Sequence, residues 1–349
     1  MVPVPGGPGV VVLRVSDPAG GAACVQLESV VDPAGGAWVA SAPSDPGYAP
    51  GLGSSCVGCL QRVSVGIGYG LFILPSNDQP PPSPDALEII AGARDCSTLL
   101  PAPANAPTHL RIEGVFPAQV EPTRAGVVSL GLAFLGDSPL TDQATRAAVL
   151  PETLRQVNAM LAPGGLQVTV ARWRSVGQQA GALELVRGDD GPLDALYGEV
   201  LGDDDCPPPA GVGGAPGWVP VVFAGCIRVV DPLLQTTSEP DGMTPRIPDG
   251  FPPAGRAHGI TLKGQSCRPG MAPIDWSPSQ LAKLLAHELG HTLGLYHSVE
   301  ADGTADQLAD TDENNIMSYA PLTVSAPAFS ASQFRVMRRH PVISFAPPD

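Results

Sequence analysis

The sequence HELGHTLGLYH, which runs from His287 to His297, decides how the chain is interpreted. His287 and His291 are four residues apart, so on a helix they project from one face at the spacing that a single zinc ion requires. Glu288 lies beside the first histidine and can reach a water molecule at the metal without itself being a ligand. Gly294 can end the helix in a left-handed conformation, which lets His297 return as a third ligand. The pattern predicts a zinc site at His287, His291 and His297 with a fourth position open to water.

The residues before this stretch predict the helix that the site needs. Ser277 and Gln280 fit a capping box, and Pro278 occupies the first helical position. A leucine stripe, about 200° around the helix from the histidines, can hold the helix in the core. Its members are Leu281, Leu285 and Leu289. A helix with ordinary surface histidines is the alternative, and these agreeing signals disfavour it, since the full pattern arises by chance with a frequency on the order of 10⁻⁵.

A second element follows at Asn315-Ile316-Met317-Ser318-Tyr319. Together, the histidine pattern and this element resemble the signature of the metzincin zinc peptidases, in which a methionine turn follows the third histidine. The HELGHTLGLYHS stretch looks most similar to the pappalysin-type and matrixin-like branches. The resemblance implies that Met317 lies beneath the metal and supports the histidines, and that Tyr319 binds zinc or stabilises the oxyanion.

The resemblance extends over residues 123–349 and implies an α+β zinc metallopeptidase catalytic domain. Such a domain has a twisted, mostly parallel sheet, an active-site helix beneath it, and one antiparallel edge strand that borders the cleft. Apolar runs at 127–135 and 218–230 predict strands of this sheet, whereas residues 231–255 are typical of a loop. Residues 256–262 occupy the position of the edge strand, and an extended substrate could pair with them.

Residues 1–118 have a different character. Short runs rich in β-branched residues alternate with Pro, Gly, Asp and Ser turns, and no helical period of useful length is present. This pattern predicts a β-rich, sandwich-like N-terminal domain, which serves either as an accessory domain or as a propeptide.

The composition disfavours several classes of function. A net charge of −15 argues against nucleic-acid binding, which needs clustered Lys and Arg. No apolar run approaches the roughly 20 residues that span a bilayer. We therefore expect neither a nucleic-acid partner nor a membrane span, and no pattern indicates an oligomeric state.

The cysteines indicate an oxidising compartment. Seven of them are scattered through loops rich in Gly and Pro, which is typical of a disulfide set in a secreted or cell-envelope protein. The first residues lack a secretory signal, so either one has been removed, which the cysteines favour, or the protein is not secreted. The odd number leaves a thiol unpaired within one chain. In some members of the family that the chain resembles, a propeptide cysteine occupies the open zinc position, and the resemblance makes Cys24, Cys56, Cys59 and Cys96 candidates for this role in a latent form. A buried or partnerless thiol is the favoured alternative.

An acidic segment lies between the third histidine and the methionine turn. Its members are Glu300, Asp302, Asp306, Asp310, Asp312 and Glu313. Oxygen-rich loops can bind calcium, which makes Ca²⁺ a candidate second ion, but the spacing matches no EF-hand. A solvated acidic surface is the favoured interpretation.

These observations predict a zinc-dependent endopeptidase that acts on extended protein or peptide substrates. Zinc would activate water, Glu288 would serve as the general base, and zinc with Tyr319 would stabilise the oxyanion. The alternative is a non-catalytic zinc-containing adhesin or surface-binding protein, which has no need of the Glu288 carboxylate. Binding through residues 1–118 is weakly supported, because Trp38 is the only tryptophan there.

Overall fold

A computed structural model of the chain places the histidine motif in a mixed α/β region that follows a β-rich region. The structure describes residues 2–3, 11–17, 24–32, 34–40, 66–77, 86–96, 110–115, 124–136, 138–176, 182–186, 189, 191–201, 217–231, 235–250, 258–268, 270, 273–301, 303 and 305–345. Within these ranges, no helix is both long and apolar enough to cross a bilayer.

The first half of the chain forms two antiparallel sheets. Its strands are β1 (Val2–Pro3), β2 (Val11–Ser16), β3 (Cys24–Val31), β4 (Ala37–Ala40), β5 (Gly66–Ile67), β6 (Tyr69–Leu74), β7 (Ala86–Arg94) and β8 (Arg111–Val115). One sheet has the order β1-β7-β3-β4, with β5 paired to β3, and the other has the order β6-β2-β8. Side chains of both sheets share one apolar core, to which Val15, Leu27 and Phe72 belong.

The second half contains the helices and the largest sheet. Its elements are β9 (Gly126–Leu135), α1 (Gln143–Leu161), β10 (Leu166–Val176), β11 (Ala182–Val186), α2 (Gly191–Leu201), β12 (Trp218–Ala224), β13 (Cys226–Asp231), β14 (Thr236–Ser238), β15 (Gly242–Met243), β16 (Ile260–Lys263), α3 (Pro278–Thr292), α4 (Ala331–Met337) and β17 (Ser344–Phe345). The main sheet has the order β10-β9-β12-β16-β15. Its first four strands are parallel, whereas β15 is antiparallel to β16, and β17 pairs antiparallel with the start of β9. The arrangement is the mostly parallel sheet with an antiparallel edge that the resemblance implied.

The prediction of the edge strand at residues 256–262 is wrong. The strand there is Ile260–Lys263, and it is an inner strand that pairs parallel with β12 on one side and antiparallel with β15 on the other. The antiparallel edge is Gly242–Met243, inside the segment that the sequence indicated as a loop. A two-residue strand has no alternation to detect, and all four residues of β16 are buried, as expected of an inner strand. Residues 251–257 lie outside the described part of the chain.

The apolar run at 218–230 is two strands and not one. The chain leaves the main sheet at Gly225, and β13 then enters a smaller sheet of order β11-β13-β14. Helix α2 and this sheet pack on one face of β9 and β12, through Ala133 and Val222, while α1 and α3 cover the opposite face. A continuously buried run gives no sign of the point at which it changes sheets.

Among the described residues, each half of the chain contains one disulfide. Cys24 is bonded to Cys96, and Cys226 to Cys267. The prediction that Cys24 or Cys96 serves as a latency thiol is therefore wrong, because neither sulfur is free to bind a metal. Cys56 and Cys59, the other two candidates, lie outside the described residues.

Helix α3 begins as the sequence predicts. The Ser277 hydroxyl accepts from the backbone N–H of Gln280, and the Gln280 side chain accepts from the backbone N–H of Ser277, which completes the capping box. The stripe of Leu281, Leu285 and Leu289 is fully buried in the main core. From Leu281 to Thr292 nearly every residue of the helix is buried, so the fold fixes the helix that carries the first two histidines.

Candidate metal centre

Three histidine side chains from α3 and the segment after it meet at one point. His287 and His291 lie one turn apart on α3, and His297 follows a reversal at Gly294, where φ is +103°. The Nε2 atom of His291 is 3.0 Å from that of His287 and 3.2 Å from that of His297. Tetrahedral zinc with Zn–N bonds of about 2.0–2.1 Å holds its nitrogen ligands about 3.3 Å apart. The three nitrogens are therefore spaced as zinc ligands.

Backbone carbonyls orient the two helical imidazoles. The Nδ1–H of His287 donates to the Ile316 carbonyl at 2.8 Å, and that of His291 donates to the Leu295 carbonyl at 2.7 Å. A carbonyl oxygen only accepts, so in the neutral imidazole each Nε2 carries a lone pair that faces the shared point. The pKa of His287 is lowered to about 3, mainly because the side chain is buried and to a smaller extent because His297 lies beside it. The neutral form that binds a metal is thus favoured.

Glu300 orients the third histidine. Its Oε2 atom lies 2.7 Å from Nδ1 of His297. A carboxylate behind a metal-binding imidazole fixes the ring and raises the basicity of the ligand nitrogen. In the sequence Glu300 belongs to an acidic segment for which a solvated surface was the favoured interpretation. The one signal of its role is that a carboxylate three residues beyond the third histidine is within reach of its ring.

Other carboxylates of the acidic segment are engaged in local hydrogen bonds. Asp306 accepts from the N–H of Leu308 and the hydroxyl of Thr311, and Asp310 accepts from the N–H of Ser332. Among the described residues, the group of His, Cys, Asp and Glu side chains that converges as a metal site is the histidine trio. The suggestion of calcium binding in this segment has no support from these contacts.

The methionine turn lies directly against α3. Met317 is fully buried, and a Cβ atom on Gly290 would lie 2.4 Å from its sulfur, so the absence of a side chain at Gly290 permits this contact. Asn315 accepts from the N–H of Met317 at 2.8 Å and exchanges two amide hydrogen bonds of 2.9 Å with Gln333. Gln333 also closes the capping box of α4. The amide pair, which no pattern in the sequence indicates, ties the turn to α4.

Tyr319 stands beside the histidines at the mouth of the cleft. Its ring is 5.4 Å from the ring of His297 in an edge-to-face arrangement, and 58% of the residue is exposed. A bound substrate could therefore meet the hydroxyl without displacing other side chains.

Glu288 follows His287 on α3 and is only 5% exposed. Burial raises the pKa of its carboxyl to about 8, and a hydrogen bond from the Thr244 hydroxyl to Oε2, 2.8 Å long, acts in the opposite direction. A cation held by the histidines would also lower this pKa. The Thr244 hydroxyl is thus a hydrogen-bond partner of this buried carboxyl.

These groups face a cavity of about 510 Å³, a size typical of ligand sites. Its floor is α3 with its cap, residues 277–292, which we call the helix floor. One side is formed by residues 239–250, which we call the edge wall, and by the smaller sheet. The other side is formed by the segment after the methionine turn. Lining residues include Leu185, Val186, Val229, Gly242, Met243, Thr244, Tyr319, Pro321 and Leu322.

Comparison with known families agrees with this geometry. A family model described as metallo-peptidase family M12B, reprolysin-like, matches residues 270–344, about a fifth of the chain. No curated protein matches the sequence. The matched residues include α3, the three histidines and the methionine turn. The match supports a zinc metallopeptidase of the metzincin type.

Proposed function

We propose that the chain is a zinc-dependent endopeptidase that hydrolyses peptide bonds in extended protein or peptide substrates. The observation that carries this proposal is the convergence of three imidazole Nε2 atoms beside a buried carboxyl in an open cleft. His287, His291 and His297 would hold the metal. The Nδ1 atom of each ring lies at hydrogen-bond distance from another group, which leaves the three Nε2 atoms for zinc, and three protein ligands leave a position for water or substrate.

The residues around the histidines have separate roles in the proposed reaction. Zinc, when bound, supplies a Lewis acid that polarises the scissile carbonyl and acidifies water. Glu288 accepts a proton from the attacking water and passes it to the leaving amine. Its burial suits both steps, because a group that takes and returns a proton works best with a pKa near the working pH. The Tyr319 hydroxyl donates to the oxyanion of the tetrahedral intermediate.

The substrate would bind as an added strand along the edge wall. The strand β15 is the antiparallel edge of the main sheet and lines the cavity together with Glu288. An extended peptide can use the backbone groups of such an edge, which places its scissile bond over the helix floor. This mode favours unfolded or flexible peptide segments over compact surfaces.

We assign residues 123–349 to the catalytic domain and residues 1–118 to an accessory, sandwich-like β domain. The shared core of the two antiparallel sheets supports the sandwich arrangement. Resemblance to the pappalysin-type and matrixin-like branches remains part of the proposal, beside the reprolysin-like match. The two disulfides support a secreted or cell-envelope location.

The proposal is tested with the purified full-length chain, casein and a quenched fluorescent peptide mixture. Cleavage should stop on addition of a chelator and return on addition of zinc, and Glu288→Gln should bind zinc without cleaving. A wild-type chain that binds zinc and cleaves nothing would favour the non-catalytic adhesin. A chain that cleaves equally well with a strong chelator would overturn the proposal.

A further inference from the structure

The carboxyl of Glu288 is held from the side of the edge wall. The Thr244 hydroxyl lies 2.8 Å from Oε2 and 3.0 Å from the Glu288 carbonyl oxygen. That carbonyl already accepts from the Thr292 hydroxyl at 3.0 Å, and a hydroxyl donates one hydrogen, so Thr244 can give its hydrogen to the carboxyl. A Cβ atom on Gly242 would lie 2.7 Å from Oε1. The edge wall therefore bonds one oxygen of the proposed general base through Thr244, and the missing side chain at Gly242 leaves room for the other oxygen.

The segment that carries Thr244 is anchored to the first half of the chain through Arg246. Arg246 is 2% exposed, and its Nη2 atom donates to the Ile67 carbonyl at 3.1 Å. Its guanidinium carbon lies 4.2 Å from the centre of the Tyr69 ring. A buried guanidinium needs hydrogen bonds and a polarisable surface to offset its lost hydration. Strands β5 and β6 therefore fix the position of Arg246.

The rest of the segment 244–250 is packed between α3 and the first half. The N–H of Asp249 donates to the Thr292 carbonyl at 3.0 Å, and the Tyr296 hydroxyl donates to the Ile247 carbonyl at 3.3 Å. A gap of about 10 Å³ remains where Phe72 and Ile73 meet Pro248 and Gly294. A gap of this size barely reaches the volume that one water requires. The segment is thus held on both sides.

We infer that strands β5 and β6 of the first half are a fixed support for the general base, acting through Arg246 and Thr244. The strands hold Arg246, Arg246 holds the segment 244–250, and Thr244 orients the Glu288 carboxyl toward the reacting water. Thr244 and Arg246 are positioning residues and touch no reacting atom. The first half is then a working part of the peptidase and not a removable propeptide. This inference rests on the proposed function.

The first test compares two substitutions of Thr244 in the full-length chain. Thr244→Val removes the hydroxyl and keeps the shape, and it should lower kcat roughly tenfold or more with KM and zinc content unchanged. Thr244→Ser keeps the hydroxyl and should retain most of the wild-type kcat. A Thr244→Val variant with wild-type kcat, or a Thr244→Ser variant as impaired as Thr244→Val, would overturn the role of the hydroxyl.

The second test uses two arginines of the second half, each of which donates a hydrogen bond to a backbone carbonyl of the first half. Arg339, just beyond the end of α4, donates to the carbonyls of Pro75 and Asn77, whereas Arg246 donates to the carbonyl of Ile67. Arg246→Met and Arg339→Met should both lower the melting temperature. Only Arg246→Met should lower kcat, severalfold, and in a double variant with Thr244→Val its effect should be less than additive, because both act on one carboxyl.

A readout that needs no turnover completes the test. In metal-free protein, amide hydrogen exchange across residues 244–250 should become faster in Arg246→Met and remain unchanged in Arg339→Met. If Arg246→Met does not fold, Tyr69→Leu removes the ring beneath the guanidinium and should give the same result. Equal exchange and equal kcat in the two arginine variants would overturn the inference. An inactive wild-type chain would refute the proposed function, and the exchange result alone would then decide whether the first half holds this segment.

Discussion

The helix floor and the edge wall face each other across the cleft, but they are built in different ways. The floor takes its position from local rules, namely a capping box at Ser277 and a leucine stripe that is buried along its length. The wall contains a two-residue strand, and its arginine bonds a carbonyl that is 179 residues away in the sequence. The residues proposed to do the chemistry are thus specified locally, whereas the residues proposed to orient them depend on distant contacts.

This difference predicts different consequences of substitution. Changes on the floor should remove the metal or the proton transfer and leave the wall intact. Changes on the wall should leave the metal in place and reduce the rate through a misplaced carboxyl. Wall variants that lose the metal, or floor variants that keep both the metal and the proton transfer, would contradict this distinction.

The largest effect is expected for His291→Ala on the helix floor. Loss of one of three ligands should release the zinc and lower turnover by more than roughly 10⁴-fold, because the Lewis acid is lost together with the water that it acidifies. Metal analysis and peptide cleavage measure both quantities. His340→Ala is the matched control, since His340 is also buried but bonds to the Asp249 carbonyl outside the histidine cluster, and it should keep its zinc. Full zinc content in His291→Ala would contradict the ligand assignment.

Glu288→Gln should have the next largest effect. The amide keeps the shape of the side chain but cannot take up the proton, so kcat should fall about 10²–10⁴-fold while one zinc remains bound. Steady-state kinetics and metal analysis on the same preparation provide the test. Zinc loss in this variant would make Glu288 a ligand and the proposed mechanism wrong.

Tyr319→Phe should have a smaller effect, near 10²-fold on kcat with little change in KM. One oxyanion hydrogen bond is worth about 2.7–4 kcal/mol, and the exposed position of Tyr319 favours the lower end of that range. Peptide cleavage by this variant at the wild-type rate would show that Tyr319 only packs against His297 and does not stabilise the oxyanion.

The smallest effects concern the two capping boxes and appear in stability alone. Ser277→Ala at the exposed cap of α3 should cost about 1 kcal/mol in the free energy of unfolding. Gln333→Ala should cost more, because it also leaves the buried amide of Asn315 without its partner, at roughly 1–3 kcal/mol. Urea unfolding of both variants measures the difference. Equal losses of unfolding free energy in the two variants would show that the amide pair does not stabilise the methionine turn.

Much of the helix floor could be predicted because its determinants lie within a few residues of one another. The cap, the leucine stripe and the spacing of the histidines are all periodic or positional features of one helix. These features need no knowledge of the rest of the chain.

The missed features depend on which distant segments meet. The edge strand Gly242–Met243 is too short to have a pattern, and the all-buried strand Tyr69–Leu74 has no alternation. Thr244 and Glu300 became relevant only when the fold brought the first beside Glu288 and the second beside His297. Polar partners of this kind have no sequence signature beyond proximity, so the structure was required to find them.

X-ray absorption at the zinc edge, measured on the zinc-loaded full-length chain, tests the central claim most directly. The account predicts three imidazole nitrogens at about 2.0–2.1 Å and one further oxygen ligand at a similar distance. It predicts the same three imidazoles in Glu288→Gln. A spectrum with fewer than three imidazoles, or with sulfur in place of one of them, would contradict the assignment of His287, His291 and His297 as the catalytic zinc site.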